Sequence, residues 1–156
     1  IRTDPREVPA IASGPAVDLP IPDLCSPPDF FATETPFLKG IEMRLAKGSF
    51  RVPGPAAVWY RATRPIVAGN TISPLMRAVI AADFCNGTSS VFSMNDWTFI
   101  NADLTVSLGR EPVGEWILLD AETWAGPDSV GIAAARLADT QGYFGRAVQS
   151  IIFEKR

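Results

Sequence analysis

The chain has 156 residues, 47% of them hydrophobic and 20% charged, enough for one domain with a sizeable buried core. The formal net charge is −3 and no Lys/Arg cluster is longer than the final two residues, so the basic footprint of a nucleic-acid-binding protein is missing. No apolar run approaches the roughly 20 residues of a membrane span. The sequence contains no histidine, which removes Ser-His-Asp and Cys-His hydrolysis, His-based dehydration and the common His-based zinc sites.

Acid–base chemistry therefore falls to Asp, Glu, Lys, Tyr or a positioned water. No metal or redox cofactor is implied. Cys25 and Cys85 are far apart in the chain. Two such thiols fit a reducing cytoplasm better than a disulfide scaffold, although a bridge between them stays open. The chain starts at Ile1 rather than Met, which predicts a piece of a longer or cleaved product.

Residues 1–36 are broken by Pro5, Pro9, Pro15, Pro20, Pro22, Pro27, Pro28 and Pro36 and carry no sustained periodicity. They read as an extended linker lying on a surface. Ile41, Met43 and Leu45 then alternate with Glu42, Arg44 and Ala46, a strand pattern. A turn over 48–54 leads into strand formers from Ala56 to Arg64, which should pair back as a hairpin.

Ser73-Pro74 is a helix start, with Ser as N-cap and Pro in the first position. Leu75 to Cys85 follows, stopped by Asn86-Gly87. Only Arg77 and Asp83 are charged here, so the helix is expected to be buried on most sides. Four strands complete the chain: Thr98–Leu108, Glu115–Ala125, Val130–Ala138 and Tyr143–Glu154, separated by Gly114, Gly126-Pro127-Asp128 and Asp139-Thr140-Gln141-Gly142. In the first of these, Ile100, Ala102, Leu104, Val106 and Leu108 face one way and Asn101, Asp103, Thr105 and Ser107 the other. One helix among antiparallel strands predicts an α+β fold in which a sheet curls around a helix.

Three residues carry chemical interest. Asp83 ends the apolar helix, where a carboxylate is costly to leave unpaired and sits at the wrong end of the helix dipole. It either reaches solvent or an Arg, or serves as a general base. Gln149 is an amide on a strand face otherwise made of Tyr143, Gly145, Ala147, Ile151 and Phe153. It is either a structural buried Gln or an amide that orients a water or a substrate carbonyl. Asn101 lies on the polar face of its strand, which is either solvated or close to Asp83. Among weaker features, Arg110-Glu111-Pro112 reads as a strand-end turn, the four Trp as core or interface, and Gly145 as a bulge or close-packing point.

An ordered set of motifs spans roughly residues 36–154: RP-x-VAG at 64–69, AADF-x-NG at 81–87, WTFIN-x-DLTV at 97–106, REPVGEW at 110–116 and GR-x-x-QS at 145–150. The set resembles the C-terminal hotdog of the thioesterase-like superfamily, double-hotdog proteins related to bacterial acyl-CoA thioesterase II, with the actinobacterial branch nearest. The resemblance implies a hotdog fold over 37–156, with 1–36 as the linker between two hotdogs. It implies a fatty acyl-CoA substrate and hydrolysis by a water held between an Asp at the end of the helix, a Thr or Ser on the following strand and a Gln on the last strand. By position these are Asp83, Asn101 and Gln149, and Asn101 departs from the family's hydroxyl. It also implies pairing with another hotdog domain, either an N-terminal half or a second copy, and hence an oligomer. An acyl-binding or scaffold hotdog without turnover is the alternative. A hotdog dehydratase would need a His from a partner chain.

Overall fold

A computed structural model describes residues 14–28 and 35–156 of the chain. Expectations for 1–13 and 29–34, including those parts of the Pro-rich linker, lie outside the described residues. Seven strands form one antiparallel sheet: β1 (Ile41–Lys47), β2 (Ala56–Ala62), β3 (Trp97–Asn101), β4 (Thr105–Leu108), β5 (Ile117–Ala125), β6 (Val130–Asp139) and β7 (Gly142–Lys155). Their order is β1-β2-β5-β6-β7-β3, and β4 also pairs with β7. At 14 residues, β7 is long enough to carry β3 and β4 end to end along one edge. The sheet curls into a half-barrel, the hotdog arrangement, and the concave side holds α1 (Pro74–Asp83) and α2 (Cys85–Thr88).

Helix α1 starts where the sequence indicates. The Ser73 hydroxyl accepts a bond from the Met76 N–H at 3.2 Å, satisfying one of the first-turn donors that have no helical partner. Its inner face is made of Ala78, Ala81 and Ala82, which share one buried cluster with Ala133 and Ala135 of β6. Small side chains on both elements let the helix lie close to the sheet, and Val58, Ile117, Leu119, Leu137, Ile151 and Phe153 fill the space around it.

The outer face departs from expectation. Leu75, Met76 and Val79 are 50%, 40% and 38% exposed, so the helix is buried on one side rather than most. A sheet that closes only halfway covers one side of a helix and leaves the other exposed. The helical path also does not stop at Asn86-Gly87. It breaks at Phe84 and resumes as α2, which contains both residues.

A second cluster lies on the convex face, where Ala57, Trp59, Leu118, Ala138 and Tyr143 point outward. Residues 14–28 cover it as a strap. The Tyr143 N–H donates to the Pro15 carbonyl at 3.1 Å, the Trp59 indole N–H to the Pro20 carbonyl at 2.9 Å, and the Leu45 N–H to the Ser26 carbonyl at 2.9 Å. A 3₁₀ turn at Pro22–Leu24 bends the strap, and Val17, Leu19 and Cys25 pack beneath it.

The corner at Arg110 proves to be a clamp. Asp139, fully buried at the end of β6, receives both ends of the Arg110 guanidinium as well as the N–H groups of Val113 and Gln141. Burial acts to raise the Asp139 carboxyl, but these four bonds outweigh it and hold the group below the ordinary carboxylate range. A carboxyl with a depressed folded pKa stabilises the fold above its unfolded value, near 4, and that stabilisation is lost as pH falls through the folded value. Asp139→Asn should therefore lower stability by about 2–3 kcal/mol at pH 7. In urea titrations at pH 7 and pH 3, the gap between variant and wild type should shrink at pH 3. An equal gap at both pH values would contradict the clamp.

Candidate functional site

The site is built around the break between α1 and α2. Ending α1 at Asp83 and restarting at Cys85 removes two helical bonds and leaves the Asp83 carbonyl and the Asn86 N–H in need of partners. Gln149 satisfies both. Its side-chain Nε2 donates to the Asp83 carbonyl at 3.2 Å, and its Oε1 accepts from the Asn86 N–H at 3.0 Å. Gln149 is 0% exposed; its bond to the Asn86 N–H is buried, and its bond to the carbonyl of the exposed Asp83 is partly buried. They account for the amide on an otherwise apolar strand face: it caps a helix break from the neighbouring sheet.

Asp83 and Gln149 thus meet, through the main chain of one and the side chain of the other. The Asp83 side chain is exposed, and its carboxylate has no hydrogen-bond or ion-pair partner among the described residues. Phe84, at the break, stacks on Tyr60 with ring centroids 4.6 Å apart and on Phe37 at 6.1 Å. The Thr88 hydroxyl donates to the Phe84 carbonyl at 2.8 Å, so the bond between Tyr60 and Thr88 (2.8 Å) must be donated by the phenol. Burial pushes the Tyr60 phenol up, and it stays protonated. Burial also pushes the Cys85 thiol up to about 12, which removes it as a nucleophile at neutral pH.

Asn101 reaches the same side of the sheet by a route the alternation pattern does not show. The expected single strand Thr98–Leu108 is two strands, interrupted at Ala102–Leu104. Four residue steps, from Asn101 to Thr105, lie opposite three on β7, from Ile151 to Val148. The extra residue reverses the alternation. Ile100 points outward with Ile152, Val106 points inward with Ala147, and Asn101 points inward with Ile151. This corrects the grouping of Asn101 with Thr105 on one face. The irregular stretch is held by Ser150: its N–H and hydroxyl both go to the Asp103 carboxylate, at 2.8 and 3.0 Å, and its carbonyl accepts from the Ala102 N–H at 2.8 Å.

Asn101 and Gln149 are diagonal neighbours on the concave face, Asn101 standing directly opposite Ile151. The Asn101 side chain is exposed and has no hydrogen bond among the described residues. The candidate residues therefore meet in pairs: Gln149 binds the Asp83 carbonyl and is the diagonal neighbour of Asn101, while the Asp83 and Asn101 side chains are exposed.

Asn86 is a member that the sequence does not reveal. It is buried, and its Oδ1 has no partner among the described residues. Read as a stop signal, Asn86 gives no hint of this, because its burial follows from the continuation into α2. An open groove of about 280 Å³ lies between the β1–β2 turn and the segment after α2, lined by Phe50, Val52, Thr88, Phe92 and Met94 among others. It includes none of Asp83, Asn101 and Gln149. Among the described residues there is no metal-binding cluster of Cys, Asp and Glu.

Replacing Gln149 with Leu keeps the volume and removes both bonds across the helix break. One buried main-chain group and one partly buried group left unpaired should cost about 1–3 kcal/mol. Urea denaturation reads this directly. A loss below about 1 kcal/mol would show that the amide does not hold the junction.

Comparison with known proteins agrees with this architecture. The family model described as acyl-CoA thioesterase C-terminal domain matches residues 21–153. The structure is similar to an acyl-CoA thioesterase II of Mycobacterium marinum, with a TM-score of 0.63 and 12% identity over 99% of this chain and 60% of that one. It is similar to a TesB protein of Mycobacterium avium subspecies paratuberculosis, with a TM-score of 0.59 and 15% identity over 92% of this chain and 56% of the other. A thioesterase family protein of Silicibacter pomeroyi aligns with a TM-score of 0.57 and 12% identity, covering 80% of this chain and 93% of its own. The chain thus spans less than two thirds of the two mycobacterial proteins. At these identities the solved structures speak for the fold. No curated protein matches the sequence.

Proposed function

Because the chain belongs to the acyl-CoA thioesterase C-terminal domain family, a family of thioester hydrolases, we propose that it hydrolyses fatty acyl-CoA to free acid and CoA at the α1–α2 junction. The observation that supports this reading is the pair of hydrogen bonds Gln149 makes across the break, which tie the end of α1, where Asp83 sits, to β7, the strand whose Ile151 stands opposite Asn101. Water held between the Asp83 carboxylate and the Asn101 amide attacks the thioester carbonyl carbon, and its proton passes to Asp83. The tetrahedral intermediate then collapses, the C–S bond breaks, and the departing thiolate takes up a proton. Gln149 has used one of two N–H donors and one of two oxygen lone pairs. Its remaining N–H is offered to the water or to the developing oxyanion.

One surface extends the proposal. Leu75, Met76 and Val79, exposed on α1, form an apolar strip that another hotdog domain would cover, closing the site around the acyl chain. The matched family is named for a C-terminal domain, which fits an N-terminal half as that partner. The unbridged Cys25 and Cys85 suit a reducing cytoplasm.

With the full-length protein and a panel of acyl-CoAs, Asp83→Asn should lower kcat by about 10²–10⁴ while leaving acyl-CoA binding intact. Turnover at the wild-type level would remove Asp83 from the mechanism. The Asn101 amide, standing where the family has a hydroxyl, favours a second reading, acyl-CoA binding without turnover. Asn101→Thr separates the two: restored or raised turnover assigns the position to catalysis. A wild-type protein that binds acyl-CoA but never releases CoA, and that Asn101→Thr does not activate, is a binding module.

A further inference from the structure

The convex face of the sheet is divided by a charged row. Asp120 pairs with Arg136, the Arg136 guanidinium lies 4.4 Å over the Tyr143 ring, and Arg146 stands beside Arg136. On one side of this row the strap covers Trp59, Leu118, Ala138 and Tyr143. On the other side no described residue covers the sheet, and six large apolar side chains, Ile100, Trp124, Val130, Ile132, Val148 and Ile152, are each 41–54% exposed. Cross-strand register makes them one patch. Trp124 stands opposite Ile132, and Ile152 stands between Val130 and Ile100. Ser150 lies at the centre, with its hydroxyl already donated to Asp103, so the middle of the patch presents no unpaired donor. Solvated sheet faces ordinarily alternate polar residues into such positions, and a contiguous apolar patch of this kind marks an association surface.

The outward residues of β7 say what covers it. In order they are Arg146, Val148, Ser150, Ile152 and Glu154. The series is complementary to its own reverse: positive, apolar, small polar, apolar, negative. Among the described residues neither Arg146 nor Glu154 has an ion-pair partner. We infer that this half-face is the interface of a back-to-back pair with a second copy of the chain. Its two-fold axis lies in the interface and crosses β7 at Ser150. The two β7 strands then run antiparallel, Val148 covers the second copy's Ile152, and Ile132 and Trp124 each meet their own counterpart. Arg146 faces Glu154 of the second copy, and the pairing occurs twice by symmetry.

Packed sheets sit about 10 Å apart with strands about 30° off alignment. Apolar contacts near the axis keep their register, and the long Arg and Glu side chains span the offset at the rim. The footprint, about 27 Å along β7 and about 19 Å across four strands, is of the same order as the roughly 800 Å² per partner of a standard interface. The pairing uses the opposite side of the sheet from α1, so both surfaces can be occupied together. It does not depend on the hydrolytic reading.

The test is the native mass of the full-length protein, by light scattering and by sedimentation across a dilution series. Ile132→Glu should halve the mass, whatever number of chains the other surfaces hold, and leave CoA release per chain unchanged. Arg146→Glu sets like charges against each other twice and should weaken association about tenfold or more. The double reversal Arg146→Glu with Glu154→Arg should restore it to within about threefold of wild type. Should Ile132→Glu fail to fold, judged by circular dichroism, the charge-reversal pair gives the same reading. A wild-type mass for both single variants, or a double reversal no better than Arg146→Glu alone, overturns the inference.

Discussion

The arrangement of this protein depends on one side chain that bridges a helix break. Phe84 leaves α1 without a continuous ladder, and two main-chain groups lose helical partners at once, the partly buried Asp83 carbonyl and the buried Asn86 N–H. An amide can donate and accept at its two ends simultaneously without carrying a charge, and Gln149 is placed to do so. Without it, the break would carry the desolvation cost of the buried Asn86 N–H and part of that of the Asp83 carbonyl. With it, the helix end is fixed to the strand that also carries β3 and β4.

The next residue on β7 does the corresponding work on the opposite face. Ser150 holds Asp103 and Ala102 and so fixes the extra residue between β3 and β4. That extra residue turns Asn101 inward. Two consecutive positions of one strand, pointing to opposite sides of the sheet, thus place all three candidate residues. Gln149 sets Asp83 from the concave side, and Ser150 sets Asn101 through the edge. The surrounding packing supports this precision: the alanines of α1 and β6 leave little room for the helix to shift, and Asp139 pins the far corner through Arg110.

The same strand serves two surfaces because its period is two. Ala147, Gln149, Ile151 and Phe153 build the core under the helix, while Val148 and Ile152 are left outward. Where the strap crosses the convex face, outward apolar residues form a second small core. Beyond the charged row they remain bare. The proposed hydrolytic site and the proposed association surface therefore lie on opposite faces of one sheet.

Much of this was present in the local pattern. Alternation located the strands, Ser73-Pro74 located the helix start, and the amide of Gln149 stood out because it broke an apolar alternation. Those features depend on neighbours a few residues apart, which a linear reading sees. The resemblance to a known family drew Asp83 and Gln149 together before any coordinates did. What only the folded chain decided were the inward turn of Asn101, the continuation through Asn86-Gly87 with the burial of Asn86, and the open outer face of α1. The first two rest on partners remote in sequence: Asp103 on Ser150, 47 residues away, and Asn86 on Gln149, 63 residues away. A strand irregularity or a helix break is stable only when such a partner arrives to satisfy the main chain, and no local periodicity records whether it will.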